Sequence, residues 1–183
     1  SYIERCAGGS PEQARLEVSD QGHVTLYIGT LSNGQGHETA FRQILCDSLG
    51  ISFEEISIVQ GNSDLIETGG GTMGSRSVPV GGSAVGSASK KVIEKAKETA
   101  AEMLESAVSD IEFDNGDFRI VGTDRVVPFR SVAENAAGEN SVAFDEKETF
   151  APEEATYPNG THVCELEIDM ATGEIELVDY TVV

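Results

Sequence analysis

Residues 34–50, GQGHETAFRQILCDSLG, join a glycine turn to a helix and indicate how the chain folds around them. From Phe41 to Leu49 the apolar residues recur three and four positions apart, which is the spacing of one helix face. Gly50 follows where a helix C-cap residue belongs. The stretch therefore predicts a glycine turn that leads directly into a helix of about three turns.

The segments on either side of this unit have the patterns of strands. Residues 14–29 alternate apolar and polar side chains around Asp20-Gln21-Gly22, which predicts a β-hairpin. Ile56–Val59 predicts a short strand after the helix.

A second glycine-rich loop, TGGGTMGSRS at 68–77, comes after that strand. So many glycines cost backbone entropy, which a chain accepts where its backbone bends sharply or approaches another group closely. A long helix is predicted from about residue 80 to 109, because small and apolar residues form one stripe that faces a core. That stripe contains Ala88, Val92, Ala96, Ala100, Met103 and Ala107, widened by Ile93, Leu104 and Val108.

The second half of the chain predicts two more hairpins. One covers 111–121 with its turn at Asp114-Asn115-Gly116, and the other covers 162–183 with its turn at Thr172-Gly173. Between them, 126–137 predicts a short helix and the acidic stretch 138–160 predicts an irregular loop.

This order of elements indicates an α+β fold with hairpins and helices in two layers, because hairpins mixed with helices are not typical of a doubly wound parallel sheet. The length of 183 residues fits one domain. We expect residues 1–110 to form a unit with both glycine loops and 111–183 to add the later hairpins and the acidic loop.

The charge of -20 argues against nucleic acid as a partner, because nucleic-acid binding needs a basic surface. A solvated acidic surface explains the charge, with adaptation to high salt as the alternative. No apolar run is long enough to span a membrane, and the N-terminus does not resemble a signal peptide. Three widely spaced cysteines, Cys6, Cys46 and Cys164, predict reduced thiols in a cytoplasmic protein and no metal site.

Both glycine loops are expected to end at a helix start, where free N–H groups and the helix dipole favour negative charge. Arg76 is the only base between residues 43 and 89, and its planar donors suit a phosphate. The alternative for Arg76 is a structural ion pair with a distant carboxylate. His37 is interpreted as a capping or cofactor-contacting residue, because a lone histidine near a helix N-terminus more often has one of these roles than that of a catalytic base or a ligand.

Two common nucleotide motifs are excluded. Gly69, Gly71 and Gly74 match G-x-G-x-x-G, but the loop begins well after the strand and no acid follows at the end of a next strand. The phosphate-loop motif G-x-x-x-x-G-K-[ST] is absent from the sequence.

The two loops, with their spacing, resemble the molybdenum-binding subunit of the molybdenum hydroxylases, the family of xanthine dehydrogenase, aldehyde oxidase and aerobic carbon monoxide dehydrogenase. The motifs that carry the resemblance are 34–39 with Gln43, Leu49-Gly50-Ile51, 71–77, 82–85 and 157–163 with the acidic hairpin that follows. They occur in order over nearly the whole chain.

The resemblance implies that the first loop lies against the dithiolene and pterin part of the cofactor and that the second wraps the molybdenum ligands and the phosphates, with Arg76 on the pyrophosphate. The implied cofactor-binding residues are Gly34, Gln35, Gly36, His37, Gly71, Thr72, Met73, Gly74, Ser75, Arg76 and Ser77. The implied cofactor is molybdenum–molybdopterin in its cytosine dinucleotide form.

The resemblance also implies hydroxylation or oxidation of a small substrate (an aldehyde, a purine or other N-heterocycle, or carbon monoxide) with oxygen from water. Electrons would pass to 2Fe-2S clusters and FAD on partner subunits or domains. The family's catalytic glutamate has no match here, so we expect an excised part of the subunit that is inactive alone.

Two other readings stay open from the residues alone. A non-catalytic module that binds a nucleotide or phosphate predicts binding by this chain without redox chemistry. An acidic interaction or structural domain predicts that the glycine loops tolerate alanine except where φ is positive.

Overall fold

The computed structural model describes residues 1–7, 10–137 and 141–183. The helices are α1 (His37–Leu49), α2 (Ser83–Met103) and α3 (Phe129–Ala136). The strands are β1 (Tyr2–Ile3), β2 (Glu12–Ser19), β3 (Val24–Ile28), β4 (Ile56–Val59), β5 (Ile111–Asp114), β6 (Asp117–Ile120), β7 (Val126–Pro128), β8 (Val142–Phe150), β9 (Asn159–Gly160), β10 (His162–Ile168) and β11 (Ile175–Val182).

The largest sheet has the strand order β4-β3-β2-β8. The hairpin predicted over 14–29 is confirmed as the antiparallel pair β2 and β3. β4 lies parallel to β3, with α1 as the connection between them, so one parallel pair is part of an otherwise antiparallel sheet. The α+β class is confirmed.

Helices α1 and α2 pack on each other, and α2 also packs on β2 and β8. Alanines on α2 let the helix approach closely; Ala84, Ala88, Ala96 and Ala100 are fully buried. On the sheet side, the alternate residues Ala14, Leu16 and Val18 of β2 face this core. The burial of alternate strand residues under a helix stripe is the two-layer arrangement that the sequence predicts.

The long helix is shorter than predicted. Helix α2 ends at Met103, because Glu105 has a φ of 50° and the Ser106 N–H turns back to the Ala101 carbonyl oxygen at 2.9 Å. Leu104 still packs in the core, but Ala107 and Val108 are exposed, so their place in the buried stripe was predicted wrongly.

The hairpin predicted over 111–121 is confirmed as β5 and β6. Asn115 and Gly116 have φ angles of 45° and 87°, which is typical of a two-residue turn with both central residues left-handed. β7 pairs with β6, so the helix predicted over 126–137 begins only at Phe129.

The acidic stretch 138–160 was predicted as an irregular loop, and that prediction is wrong for 142–150. These residues form β8, which pairs antiparallel with β2 and joins the later part of the chain to the first sheet. Charged residues hide the alternation: Phe144 and Glu146 face α2, where Glu146 forms an ion pair with Lys95. Residues 138–140 of the predicted loop lie outside the described residues.

The last predicted hairpin is confirmed as β10 and β11, which pair with one bulge. Its residues are exposed, and they include large apolar side chains such as Ile175 and Leu177, which are 64% and 61% exposed. The self-association that we expect of the isolated chain from such exposed apolar surface stays a prediction.

Candidate functional site

The first glycine loop is held by its own side chains. Gln35 Oε1 accepts a hydrogen bond from the Asn33 N–H, and Ser32 Oγ donates to the same oxygen at 3.3 Å. Gly36 is the N-cap of α1 with a φ of 77°, and no side chain caps the helix there. Within the described part of the chain, the N–H groups of the first helical turn therefore lack a side-chain partner, as an anion-binding helix start requires.

His37, the first residue of α1, is only 3% exposed. Its ring packs 5.6 Å from the Phe41 ring, and its Nδ1 lies 3.4 Å from Gln60 Nε2. Gln60 Nε2 also donates to the Thr30 carbonyl oxygen, so this nitrogen is the donor and His37 Nδ1 is the acceptor.

The second loop has a left-handed backbone at several positions. Gly71, Gly74 and Ser75 have φ angles of 72°, 54° and 52°. Ser75 is costly in this conformation, and Ala7, whose N–H donates to the Gly74 carbonyl oxygen at 3.1 Å, has a φ of 55°. Backbone strain of this kind persists only where the surrounding structure enforces it, and it concentrates at functional sites.

The second loop does not open directly onto an α-helix. Residues 77–82 first form a wider turn, in which the Gly81 N–H reaches back five residues to the Arg76 carbonyl oxygen at 3.4 Å. Pro79 lies in the first part of this turn, where its missing N–H costs no hydrogen bond. Single turns of this π-helical kind are frequent at functional sites.

Arg76 is buried beneath the second loop. Its Nη1 lies 2.6 Å from Glu12 Oε2 and also 2.6 Å from the Gly71 carbonyl oxygen. Its Nη2 donates to the carbonyl oxygens of Ser10 and Pro11 at 2.9 and 3.0 Å. The structural ion pair that was the alternative for Arg76 is present, and the contact with pyrophosphate stays a prediction.

The two loops meet in one cleft of about 390 Å³. Gln35, His37 and Ala40 line one side, and residues 72–79 line the other. The structure thus brings together most of the predicted site residues; Gly34, Gly36 and Gly71 belong to the same loops without lining the cleft. Thr72 Oγ1 joins the sides by donating to the Leu31 carbonyl oxygen at 2.6 Å.

Among the described residues that line the cleft none is acidic, although the chain carries a charge of -20. Two carboxylates contact the lining residues without lining the cleft themselves: Glu12 Oε2 accepts from Arg76 Nη1 at 2.6 Å, and Glu4 Oε1 accepts from Ser75 Oγ at 3.1 Å. Within residues 1–7, 10–137 and 141–183, the N–H groups of Thr72 to Ser75 donate to no protein acceptor. Neutral donors and free N–H groups suit an anion.

Four glycines leave room in the loops for a ligand. A Cβ placed on Gly34, Gly36, Gly71 or Gly74 would meet nothing within 4 Å, and each of these residues has a positive φ. An anionic cofactor can therefore approach the backbone closely at these positions. The residues present fit the molybdopterin group that the resemblance implies.

Sequence reasoning missed Glu12 and Gln60. Glu12 is 1% exposed and stands two residues before Ala14, in register with the inward-facing residues of β2. A carboxylate at an inward position of a strand needs a buried partner of opposite charge. This requirement could have identified Glu12 as the partner of Arg76. Gln60 follows β4 directly and has no comparable signal in the sequence.

Residues 1–7, 10–137 and 141–183 contain no group of three or more His, Cys, Asp or Glu side chains arranged to hold a metal ion. None of their helices combines the length and the apolar character that crossing a membrane requires.

The family model for the molybdopterin cofactor-binding domain matches residues 1–183. The chain belongs to this family. The resemblance to the molybdenum-binding subunit of the molybdenum hydroxylases is confirmed, and the match does not support the alternative of a non-catalytic nucleotide-binding module.

Two curated relatives show the same relationship in sequence. The carbon monoxide dehydrogenase large chain of Afipia carboxidovorans is 37% identical over 88% of this chain and 21% of its own length. The 6-hydroxypseudooxynicotine dehydrogenase complex subunit gamma of Paenarthrobacter nicotinovorans is 35% identical over 93% of this chain and 22% of its own length.

The fold also agrees with a solved structure. Reconstituted CO dehydrogenase from Oligotropha carboxidovorans superposes with a TM-score of 0.89 at 30% identity, over 99% of this chain and 24% of that one. The chain therefore spans between a fifth and a quarter of the length of these relatives.

Proposed function

We propose that this chain supplies the cofactor cleft of a molybdenum hydroxylase large subunit, with the cytosine dinucleotide form of molybdopterin between its two glycine loops. The observation that carries the proposal is the acid-free cleft where both loops meet, lined by Gln35, His37 and 72–77. When bound, the cofactor supplies the redox chemistry, while the protein supplies position and hydrogen bonds.

The residues of this chain take distinct parts in holding the group. His37 lines the cleft on the side of the first loop, and the free N–H groups of Thr72 to Ser75 are available to phosphate oxygens on the other. The exposed side chain of Met73 and the buried Ser77 complete the wall of the second loop.

For the whole protein we propose an oxidoreductase that hydroxylates or oxidises a small substrate, with FAD and 2Fe-2S clusters on partner subunits or domains. The relatives support this by their names, since they are a carbon monoxide dehydrogenase large chain and a subunit of a dehydrogenase complex. The catalytic glutamate is proposed to lie outside residues 1–183. A cytoplasmic location is supported by three free cysteines, Cys6, Cys46 and Cys164.

The test uses the full-length subunit purified with its native partners. We expect near-stoichiometric molybdenum by elemental analysis and an equal amount of CMP after acid hydrolysis. Gly74→Val should remove both together, because the side chain fills the open space at the cleft.

Gly122→Val is the matched control. Gly122 also has a positive φ, of 75°, and open space around it, but it lies in the turn between β6 and β7. This variant should keep molybdenum and CMP. A well-folded, fully assembled wild type with no molybdenum would contradict the proposal.

A further inference from the structure

A buried ion pair lies below the second glycine loop and has no part yet in the proposed function. Glu12, at the start of β2, and Arg76 are 1% and 2% exposed. Glu12 Oε2 accepts hydrogen bonds from Arg76 Nη1 at 2.6 Å and from the Gly70 N–H at 3.0 Å. One carboxylate oxygen thus binds both the arginine and the backbone of the loop.

Almost all N–H groups of the Arg76 guanidinium donate hydrogen bonds within the protein. Both hydrogens of Nη1 and both of Nη2 have acceptors, namely Glu12 and the carbonyl oxygens of Gly71, Ser10 and Pro11. Among the described residues only Nε is without a partner, and it is buried. The planar fork of arginine therefore joins the segment before β2 to the loop, a geometry that lysine cannot reproduce.

The loop is laid closely over this pair. A Cβ on Gly70 would lie 2.5 Å from the Arg76 guanidinium, and a Cβ on Gly69 would lie 2.5 Å from Gly29 Cα. The backbone at 69–70 is thus fixed against β3 and the ion pair before the chain enters the left-handed conformations at Gly71, Gly74 and Ser75. The orientation of the free N–H groups at 72–75 therefore depends on how the preceding residues 69–70 are held.

We propose that Glu12 and Arg76 are positioning residues, which hold residues 69–77 so that backbone N–H groups, rather than the arginine side chain, bind the anionic part of the cofactor. The inference rests on the proposed function for the identity of the ligand. Because Glu12 neutralises Arg76 beneath the loop, the attraction for the anion comes from oriented peptide dipoles. Release of the cofactor should therefore depend only weakly on salt concentration.

The first experiment measures hydrogen exchange of peptides that cover 68–77 in the cofactor-free, full-length subunit. Glu12→Gln and Arg76→Gln should each raise the exchange rate of the Gly70 amide by roughly tenfold, because its N–H donates to Glu12 and the loop loses its anchor. The double variant should exchange no faster than about twice either single variant, since the two residues act as one unit. Effects that multiply in the double variant, or a loop unchanged in both single variants, would overturn the proposal.

Leu104→Ala is the control for general destabilisation. Leu104 is buried just past the C-terminal end of α2, roughly 30 Å along the helix axis from Ser83. Its loss should lower the melting temperature without changing exchange at 68–77. If the Gln variants do not accumulate, Arg76→Lys keeps the charge but loses part of the carbonyl contacts, and it should give an intermediate rise in exchange.

The second experiment measures release of CMP-containing cofactor from the loaded subunit at low and high salt. Glu12→Gln and Arg76→Gln should speed release to a similar degree, and Leu104→Ala should not. If only Arg76→Gln speeds release, and wild-type release rises steeply with salt, the arginine binds phosphate directly and the proposal is wrong. A subunit without molybdenum or CMP would defeat the proposed function, while the exchange experiment would still decide the role of the pair.

Discussion

The first glycine loop is stabilised by hydrogen bonds between residues two or three positions apart, whereas the second is fixed by hydrogen bonds to residues 41 to 71 positions earlier in the chain. Both loops border one cleft and both contain glycines with positive φ. The first loop opens directly onto α1, while the second passes through a wider turn before α2 begins.

The difference shows that two similar glycine-rich sequences are held in place by different kinds of contact. The first loop needs only short polar side chains and a helix start, because its neighbours in sequence complete it. The second loop contacts Glu12 at the start of β2 and Gly29 just after β3. Its path is therefore determined by the buried pair Glu12–Arg76 and by the close approach of Gly69 to Gly29. Substitutions should therefore affect the two loops to different degrees.

The largest effect is expected from Gly69→Ala. Its Cβ would lie 2.5 Å from Gly29 Cα and 3.2 Å from Glu12 Oε1, so backbone must shift. We expect the free energy of unfolding to fall by about 2–3 kcal/mol, measured by urea denaturation of the 183-residue chain at fixed concentration. Gly86→Ala in α2 is the control: its Cβ position is open, so the change should leave stability unchanged or raise it. If Gly69→Ala has the same free energy of unfolding as Gly86→Ala, the second loop is not anchored at Gly69.

A smaller effect is expected from Gly36→Ala in the first loop. Nothing lies within 4 Å of its Cβ position, so the cost is that of a φ of 77° for alanine. We expect a loss of about 1 kcal/mol in the same urea titration. Gly122→Ala, with a φ of 75° and open space, should lose a similar amount. A loss for Gly36→Ala as large as that for Gly69→Ala would remove the contrast between the loops.

The smallest effect concerns a second arginine–carboxylate pair, between Arg15 of β2 and Asp145 of β8, which is partly exposed whereas Glu12–Arg76 is buried. Arg15 Nε lies 2.6 Å from Asp145 Oδ1, and this hydrogen bond holds the pKa of Asp145 below its usual value. Since the folded pKa is depressed, the stabilisation is present above the unfolded pKa of about 4 and is lost as the pH falls through the folded pKa.

Asp145→Asn should therefore cost less than about 1 kcal/mol at neutral pH, because the pair is partly exposed and screened. Unfolding titrations at neutral pH and below pH 4 should show that the difference in free energy of unfolding between wild type and variant disappears in acid. High salt should shrink the same margin at neutral pH. A margin that persists in acid would assign the stabilisation to packing of the side chain and not to its charge.

Local patterns were sufficient for the hairpins, for α1 and for the positions of both loops. The period of β2 and β3, the helical spacing after His37 and the Asn115-Gly116 turn each depend on residues within a few positions, so the sequence alone predicts them. The pattern of β8 failed because inward-facing Glu146 and Glu148 replace apolar residues, and only their lysine partners on α2 explain them. The end of α2 at Met103 was missed for a similar reason, since nothing in its composition marks the reversal at Glu105.

For the site, the sequence by itself determined that two glycine loops, with His37 and Arg76, can serve an anion, because conformational freedom and free N–H groups are properties of those residues. Only the tertiary structure decided that the loops share one acid-free cleft and that Arg76 binds Glu12. Charge pairing between residues 64 positions apart depends on how β2 and the loop are brought together, and no local pattern encodes that approach.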